Sequence, residues 1–270
     1  MKIHKLKKAS LQRDGSSGWI WADGPLLFYE KLQRAYPHLV WERNTVVKSK
    51  GYSWCAQVSG AIPEAWDDLA DFLLLLRRTL LIESSLDECF ALGWHSKPGQ
   101  PGKPALTVLG QWIHMAKSYN MGTDSPGSLP VAGLIAEQMV EFIGRHPIYR
   151  LCDGLVAALA SNPEKTFDLP QILAERLEED TGIPFLHEAL TKTRPTAQMK
   201  YCPRREDKLD NIHGSIACRD ASVAGKRILI VDDIIESGIT LMETCRSLRE
   251  AGATAVYGLA ATKTLKNRFS

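Results

Sequence analysis

The six cysteines of this 270-residue chain, Cys55, Cys89, Cys152, Cys202, Cys218 and Cys245, contain no C-x-x-C pair. The seven histidines are dispersed, with no H-E-x-x-H and no spaced Cys/His set, so a structural zinc site is excluded and each lone His reads as a surface or capping residue. Scattered unpaired thiols suit a reduced, cytoplasmic protein rather than a disulfide frame. No G-x-x-x-x-G-K-[ST] loop occurs. The nearest candidate, Ala224-Gly225-Lys226-Arg227, lacks both the upstream Gly and the hydroxyl, which excludes a P-loop nucleotide site. The most apolar stretch, Phe72 to Ile82, is broken by Arg77 and Arg78 and is too short and charged to span a bilayer. The basic start, Met1 to Lys8, is followed by no apolar run, so it is not expected to be a signal peptide. A formal charge of +2 gives no general argument for nucleic acid or an anionic membrane as partner.

A hydrophobic content of 44% is enough for a full core, in one large domain or two modest ones. The most informative stretch is Arg227 to Thr240, R-I-L-I-V-D-D-I-I-E-S-G-I-T. Four apolar residues, Ile228 to Val231, predict a buried strand. It empties into two carboxylates, Asp232 and Asp233, and then into a small-residue loop whose last Thr opens a helix pattern. The loop Glu236, Ser237, Gly238, Ile239, Thr240 is suited to turning successive backbone N–H groups toward a phosphate at a helix N-terminus. Asp232 and Asp233 are placed to accept hydrogen bonds from ribose hydroxyls and to hold the water shell of Mg²⁺. A Walker B strand also ends in Asp, but its partner loop is missing. A receiver-type Asp pair would follow the first strand of a five-strand domain, whereas here only one helix and one strand follow. The remaining alternative is a core strand with two solvated carboxylates at its end.

Along the chain, Lys97 to Pro104 reads K-P-G-Q-P-G-K-P, which cannot hold regular structure and predicts a linker. This divides the chain into residues 1–96, with six of the seven tryptophans, a linker at 97–104, and residues 105–270. Helix spacing is predicted for Pro63 to Ile82, Leu106 to Ala116, Val131 to Ile143, Thr166 to Glu179 and Ile239 to Arg249. Strands are predicted in Val40 to Val58 (two, with a turn near Lys48 to Gly51), at Leu155 to Leu159, Ile183 to Leu186, Ile228 to Val231 and Thr254 to Ala261. A Gly/Ser/Pro/Asp-rich loop is expected at Gly122 to Pro130, and a polar, basic segment at Thr191 to Ala224. Alternating strands and helices imply a parallel sheet covered on both faces, with ligand at the carboxyl ends of its strands.

The pattern of apolar strand, Asp-Asp, two apolar residues and x-Ser-Gly-x-Thr resembles the phosphoribosyl pyrophosphate (PRPP) loop of type I phosphoribosyltransferases. Further residues resemble the competence protein F (ComF) branch: Asp153-Gly154-Leu155-Val156, Gln198 with Lys208, Asn211 and Gly214, and Leu248-Arg249-Glu250-Ala251-Gly252-Ala253 before an apolar strand. The resemblance covers roughly residues 105 to 265. The zinc ribbon that many ComF-like chains carry at the N-terminus is absent. The resemblance implies an α/β, type I phosphoribosyltransferase-like parallel sheet flanked by helices, preceded by an N-terminal accessory domain. It also implies transfer of phosphoribose from PRPP to a nitrogenous acceptor, with Mg²⁺ as cofactor.

On that reading, Ser237 to Thr240 hold the 5′-phosphate, Asp232 and Asp233 fix the ribose and the metal through water, and Glu236 is the candidate general base. The alternative for Glu236 is a solvated carboxylate favoured by the helix dipole. The pyrophosphate side is expected at Ala160 to Lys165, with Ser161, Asn162 and Lys165, helped by Lys200 or Arg204 from the basic segment. Here the chain departs from the ComF pattern, having Ala157-Ala158-Leu159-Ala160 and Lys165-Thr166-Phe167-Asp168 where Pro residues and an Arg-rich loop are usual. A rival reading is a PRPP or nucleotide sensor, or an effector subunit, that kept the loop and acts with a protein or nucleic-acid partner. The tryptophans fit three readings: an accessory core, base-stacking beside Arg34, Arg43, Lys48 and Lys50, or a partner-binding face. PRPP or a nucleoside monophosphate is the expected ligand, and a homo-oligomer the default assembly.

Overall fold

A computed structural model describes residues 1–15, 17–43, 51–58, 63–97, 105–118, 128–159, 167–197, 201–202 and 204–265. The strands are β1 Ile3–His4, β2 Lys8–Asp14, β3 Ser17–Asp23, β4 Val40–Arg43, β5 Trp54–Val58, β6 Leu80–Ile82, β7 Glu88–Trp94, β8 Ser96–Lys97, β9 Ala105–Leu106, β10 Gly154–Ala157, β11 Leu190–Lys192, β12 Ile216–Cys218, β13 Arg227–Ile235 and β14 Ala255–Lys263. The helices are α1 Leu26–Ala35, α2 Pro63–Arg78, α3 Val108–Ser118, α4 Ser128–Arg145, α5 Leu169–Thr181, α6 Arg205–Ile212 and α7 Ile239–Glu250.

The main sheet has the order β1-β6-β7-β14-β13-β10. Strands β7, β14, β13 and β10 are mutually parallel, while β6 and β1 extend the edge antiparallel. Side chains alternate across it, as a pleated strand requires. Leu229 and Val231 of β13 and Leu259 and Ala261 of β14 join a first core with α4 and α5, while Ile228, Ile230, Val256 and Ala260 join a second core under α7. Burial on both faces explains why β13 and β14 read as continuous apolar runs. The expected α/β class, with a mostly parallel sheet between helices, is what the chain forms.

The sheet also crosses the expected boundary. Strand β7 pairs with β14, Leu259 opposite Phe90 and Lys263 opposite Trp94, so residues 80–94 supply core strands on the N-terminal side of the linker. Lys97 lies in β8, paired with β9, and residues 98–104 of the expected linker lie outside the described residues. The sequence pattern carried the second helix through to Ile82. Instead α2 stops at Arg78, and Leu80–Ile82 turn into strand because all three are buried against the sheet. Ile183 to Leu186 forms a single bridge, Leu155 to Phe185, rather than a strand. Within the basic segment, β11 and β12 pair antiparallel and α6 lies between them in sequence. The expected turn at 48–51 is described only at Gly51, and the loop at 122–130 only from Ser128, where α4 already begins.

A second sheet, β2-β3-β5-β4, is antiparallel, and β4 and β5 are the two strands expected within Val40 to Val58. Along β3, Ile20 and Ala22 point inward while Trp19 and Trp21 point outward and lie 6.2 Å apart, with Trp19 41% exposed. Trp66 is buried against this sheet at Gly18, where an added Cβ would collide with the Gln12 carbonyl and the Trp66 ring. The tryptophans therefore divide. Trp66 is core, Trp41 and Trp54 pack against the core, and Trp19 faces solvent. Arg34 of α1 ties this part to the main sheet, donating to Tyr257 Oη at 2.7 Å.

At the start of β13, the Arg227 guanidinium makes two bonds of 2.9 Å to Asp153, and the Arg227 backbone N–H adds a third. These bonds hold the Asp153 carboxyl down at about 2. A depressed carboxylate stabilises the fold fully above its unfolded pKa of 3.8, and that contribution is lost as pH falls toward about 2. Both groups keep over a third of their side-chain exposure, so the effect is modest. Asp153→Asn is expected to flatten the fall in melting temperature between about pH 4 and pH 2. Parallel acid melts of wild type and variant check this; superimposable slopes would remove the pair from the acid response.

Candidate active site

The strand β13 runs four residues beyond Val231, where the sequence pattern ended it, so both carboxylates lie inside the strand and not after it. Asp232 pairs in register with Ala260, and Ile234 with Thr262. Because successive side chains alternate, Asp232 and Asp233 leave on opposite faces of the sheet. Asp233 is 5% exposed, and Lys117, in the last turn of α3, brings its ammonium 2.5 Å from Oδ2 as an ion pair without aligned hydrogen-bond geometry. Asp232 is half-buried, and its Oδ1 accepts the Asp233 backbone N–H at 2.8 Å. Burial and then the adjacent Asp233 charge push the Asp232 carboxyl well above the ordinary range, with Lys117 opposing.

The loop at 236–238 turns the chain into α7. Gly238 takes φ 72°, a left-handed conformation that glycine adopts without a Cβ penalty, and it occupies the N-cap of α7. The Met1 side chain lies on Gly238, and a Cβ there would collide with its sulfur. The first-turn N–H groups of a helix have no intrahelical acceptor. Ile239 N–H meets only Ser237 Oγ, at 3.5 Å, and the ladder begins with Met242 N–H to Gly238 O. Thr240 is half-buried at the same end. The N-terminus of α7, with its first-turn backbone donors and the positive end of its dipole and with Ser237 and Thr240 in the same turn, is complementary to a phosphate.

Glu236 stands at the mouth of this turn with its side chain 60% exposed. Lys208 of α6, 16% exposed, comes within 3.6 Å of Oε1. From below, the 2%-exposed Lys263 donates to the Glu236 carbonyl at 2.8 Å and to the Thr264 carbonyl at 2.9 Å, fixing the start of the loop. Asn211 clamps the segment before α6, accepting from Ala197 N–H and donating to Ala197 O, both at 2.9 Å. Gly214 N–H donates to Glu243 of α7 at 2.7 Å. Of the motif residues, Gly214 thus contacts α7, Lys208 the loop before it and Asn211 its own segment.

Of the expected pyrophosphate residues, Ser161, Asn162, Lys165 and Lys200 lie outside the described residues, as does Gln198. Arg204 is the exposed N-cap residue of α6, one turn before Lys208. Three residues beside the acids were not anticipated. They are Lys117; Lys263, a cation ending an otherwise apolar strand; and His95, whose Nδ1 lies 3.1 Å from Thr262 Oγ1. Burial and then Lys117 lower the His95 imidazole, which favours its neutral form. Only Lys263 left a sequence signal, since charge inside a buried strand demands a partner.

Among the described residues no group of three or more His, Cys, Asp or Glu is gathered as a metal cage. The acidic pair does not fit a shared Mg²⁺ either: the two carboxylates diverge, and Asp233 already faces an ammonium.

Parts of the chain are similar to known proteins. An amidophosphoribosyltransferase from Synechocystis is 39% identical over 77 residues, 28% of this chain and 15% of that protein. The transcriptional regulator GfcR of Halobacterium salinarum is 35% identical over 82 residues, 29% of this chain and 38% of that protein. The matches thus span well under half the length of either relative. The solved adenine phosphoribosyl transferase of Trypanosoma brucei, in complex with AMP, pyrophosphate and ribose-5-phosphate, superposes with a TM-score of 0.37 at 14% identity, over 68% of this chain and 86% of that one. Residues 172–262 match the family model of the phosphoribosyl transferase domain, a span that takes in β13, the turn at 236–240 and all of β14 except its last residue.

Proposed function

We propose that this protein is a PRPP-binding phosphoribosyltransferase that joins a nitrogenous acceptor to the anomeric carbon of PRPP and releases pyrophosphate. The observation that carries the reading is the turn at Gly238, where the acidic strand β13 leads into the N-terminus of α7 with Ser237 and Thr240 beside its first-turn N–H groups. In the reaction the acceptor nitrogen forms its bond to the anomeric carbon as the bond to the pyrophosphate oxygen breaks. The pyrophosphate leaves with the electron pair, and the acceptor N–H proton passes to Glu236. Ser237 to Thr240 hold the 5′-phosphate. Asp232 contacts the ribose, and negative charge nearby stabilises the oxocarbenium character of the transition state. Ser161, Asn162, Lys165, Lys200 and Arg204 are assigned to the pyrophosphate. No step is routed through Mg²⁺.

The test is calorimetric titration of PRPP, followed by a pyrophosphate-release screen across nucleobases. Asp232→Asn combined with Asp233→Asn is expected to weaken PRPP binding by about 10-fold or more; unchanged affinity would move the site elsewhere.

A second reading, an effector that binds PRPP or a nucleotide without turnover, is favoured by one feature outside the loop. Lys5, Lys7, Arg77 and Arg78, with Leu6 and Leu74, line a 520 Å³ cleft that holds no carboxylate. Among the described residues, Lys7 has an acidic partner, Asp23 at 3.8 Å, and the other three have none within 4 Å. Four cations lining one cleft, one of them paired at its margin, suit a polyanionic partner such as nucleic acid. On this reading Lys5→Gln with Arg77→Gln lowers the affinity for single-stranded DNA, measured by fluorescence anisotropy, by about 10-fold at low salt. Equal affinity for the variant, or none in the wild type, would leave the enzyme reading alone. No helix among the described residues is long and apolar enough to cross a membrane, and all six cysteines are free thiols. We propose a cytoplasmic placement and a homo-oligomeric assembly.

A further inference from the structure

Resting on the PRPP reading, we propose that Lys117 is a built-in counter-cation of the acidic strand end, standing at Asp233 where a hydrated Mg²⁺ would otherwise sit, so that PRPP binds here without requiring a metal. Three observations carry this. The first is commitment: Asp233 is 5% exposed, and its Oδ2 has the Lys117 ammonium at 2.5 Å. A metal-bound water would donate to this carboxylate, and the Lys117 ammonium already faces it. The second is divergence. Asp232 and Asp233 leave β13 on opposite faces, so they offer a metal one carboxylate on either side rather than two together. The third is delivery. Lys117 ends α3, whose preceding turns are anchored in the first core by Ile113 and Ala116, both no more than 1% exposed.

The charge count follows from that geometry. An ammonium against one carboxylate leaves the strand end less negative than a free acidic pair. It supplies a fixed cation at the acidic strand end, the charge that a metal would otherwise bring there. Lys117 keeps 45% of its side-chain exposure, so its head is reachable by ligand while its partner is not. Lys117 is a positioning and charge-balancing residue in this scheme, not a proton carrier.

Calorimetric titration of PRPP into the full chain, once with excess Mg²⁺ and once with EDTA, tests the proposal in wild type, Lys117→Met and Lys117→Arg. Wild type and Lys117→Arg are expected to bind in EDTA within about 3-fold of their affinity with Mg²⁺. Lys117→Met is expected to lose about 10-fold or more in EDTA and to recover most of it when Mg²⁺ is restored. Preserved binding by Lys117→Arg also separates loss of the cation from a folding defect. If wild type needs Mg²⁺ as strongly as Lys117→Met does, the counter-cation role is overturned while the PRPP reading stands. Absence of PRPP binding by every protein in both buffers would overturn the two together.

Discussion

Glu236→Gln is expected to bind PRPP with wild-type affinity and to lose about 10²–10⁴ in turnover, the range typical of a positioned general base. The substitution keeps the size and hydrogen-bonding reach of the side chain, and the turn beneath it does not depend on the carboxylate. That turn is held by the Gly238 conformation and by Lys263 on the Glu236 carbonyl, neither of which the change touches. What disappears is the acceptor for the proton of the attacking nitrogen, together with the ion pair to Lys208. Single-turnover pyrophosphate release separates these from binding. The discriminating control is Lys208→Gln, which removes the ion pair and leaves the carboxylate. Should Lys208→Gln lose as much turnover as Glu236→Gln, the pair acts as a latch between α6 and the loop rather than as proton chemistry. If Glu236→Gln turns over normally, the residue is a solvated helix-start carboxylate.

The site was legible in the sequence to the extent that it is local. Ile228 to Thr240 encodes strand, acids, turn and helix within 13 consecutive positions, and the structure realises that order. The residues that engage the acids come from far along the chain. Lys117 lies more than a hundred positions before Asp233, on an amphipathic helix whose terminal Lys looks like ordinary dipole complementarity. Burial decided the strand end. Period and propensity suggest that two carboxylates terminate an apolar run, but β14 continues alongside through Lys263 and keeps β13 paired to Ile235. The second helix shows the converse: Leu80 fits the helical period, yet its pairing with Ala91 of β7 draws it into the sheet. The linker reading rested on Pro and Gly content, which reports where regular structure stops and says nothing about which strands pair across the gap.

That crossing sheet leads to the other large effect, and it concerns cooperativity. Phe142→Ala is expected to cost about 3–5 kcal/mol, as truncation of a fully buried aromatic does. Phe142 is fully buried on α4, with ring centroids 5.3 Å from Phe90 on β7, 5.2 Å from Tyr149 and 5.3 Å from His146. Tyr149 in turn donates to the Gly258 carbonyl of β14 at 3.0 Å, and His146 faces the buried Glu88 carboxylate at 3.2 Å. One side chain therefore supports residues on both sides of the 98–104 segment, and the same continuous core runs from Leu6, Ile20 and Trp66 through Phe142 to Leu229 and Leu259. A core with no seam has no plane along which one half melts first, so the variant should unfold in one transition. Six of the seven tryptophans lie before residue 97, which makes fluorescence a probe of the N-terminal part, while far-UV circular dichroism is dominated by the helices α3 to α7, which hold most of the helical residues. The two melting curves are expected to coincide and to shift together in Phe142→Ala. If fluorescence keeps its wild-type midpoint while the dichroism transition moves down, residues 1–96 form an independently folding domain and the sheet contact across β7 and β14 is a docking interface between two units.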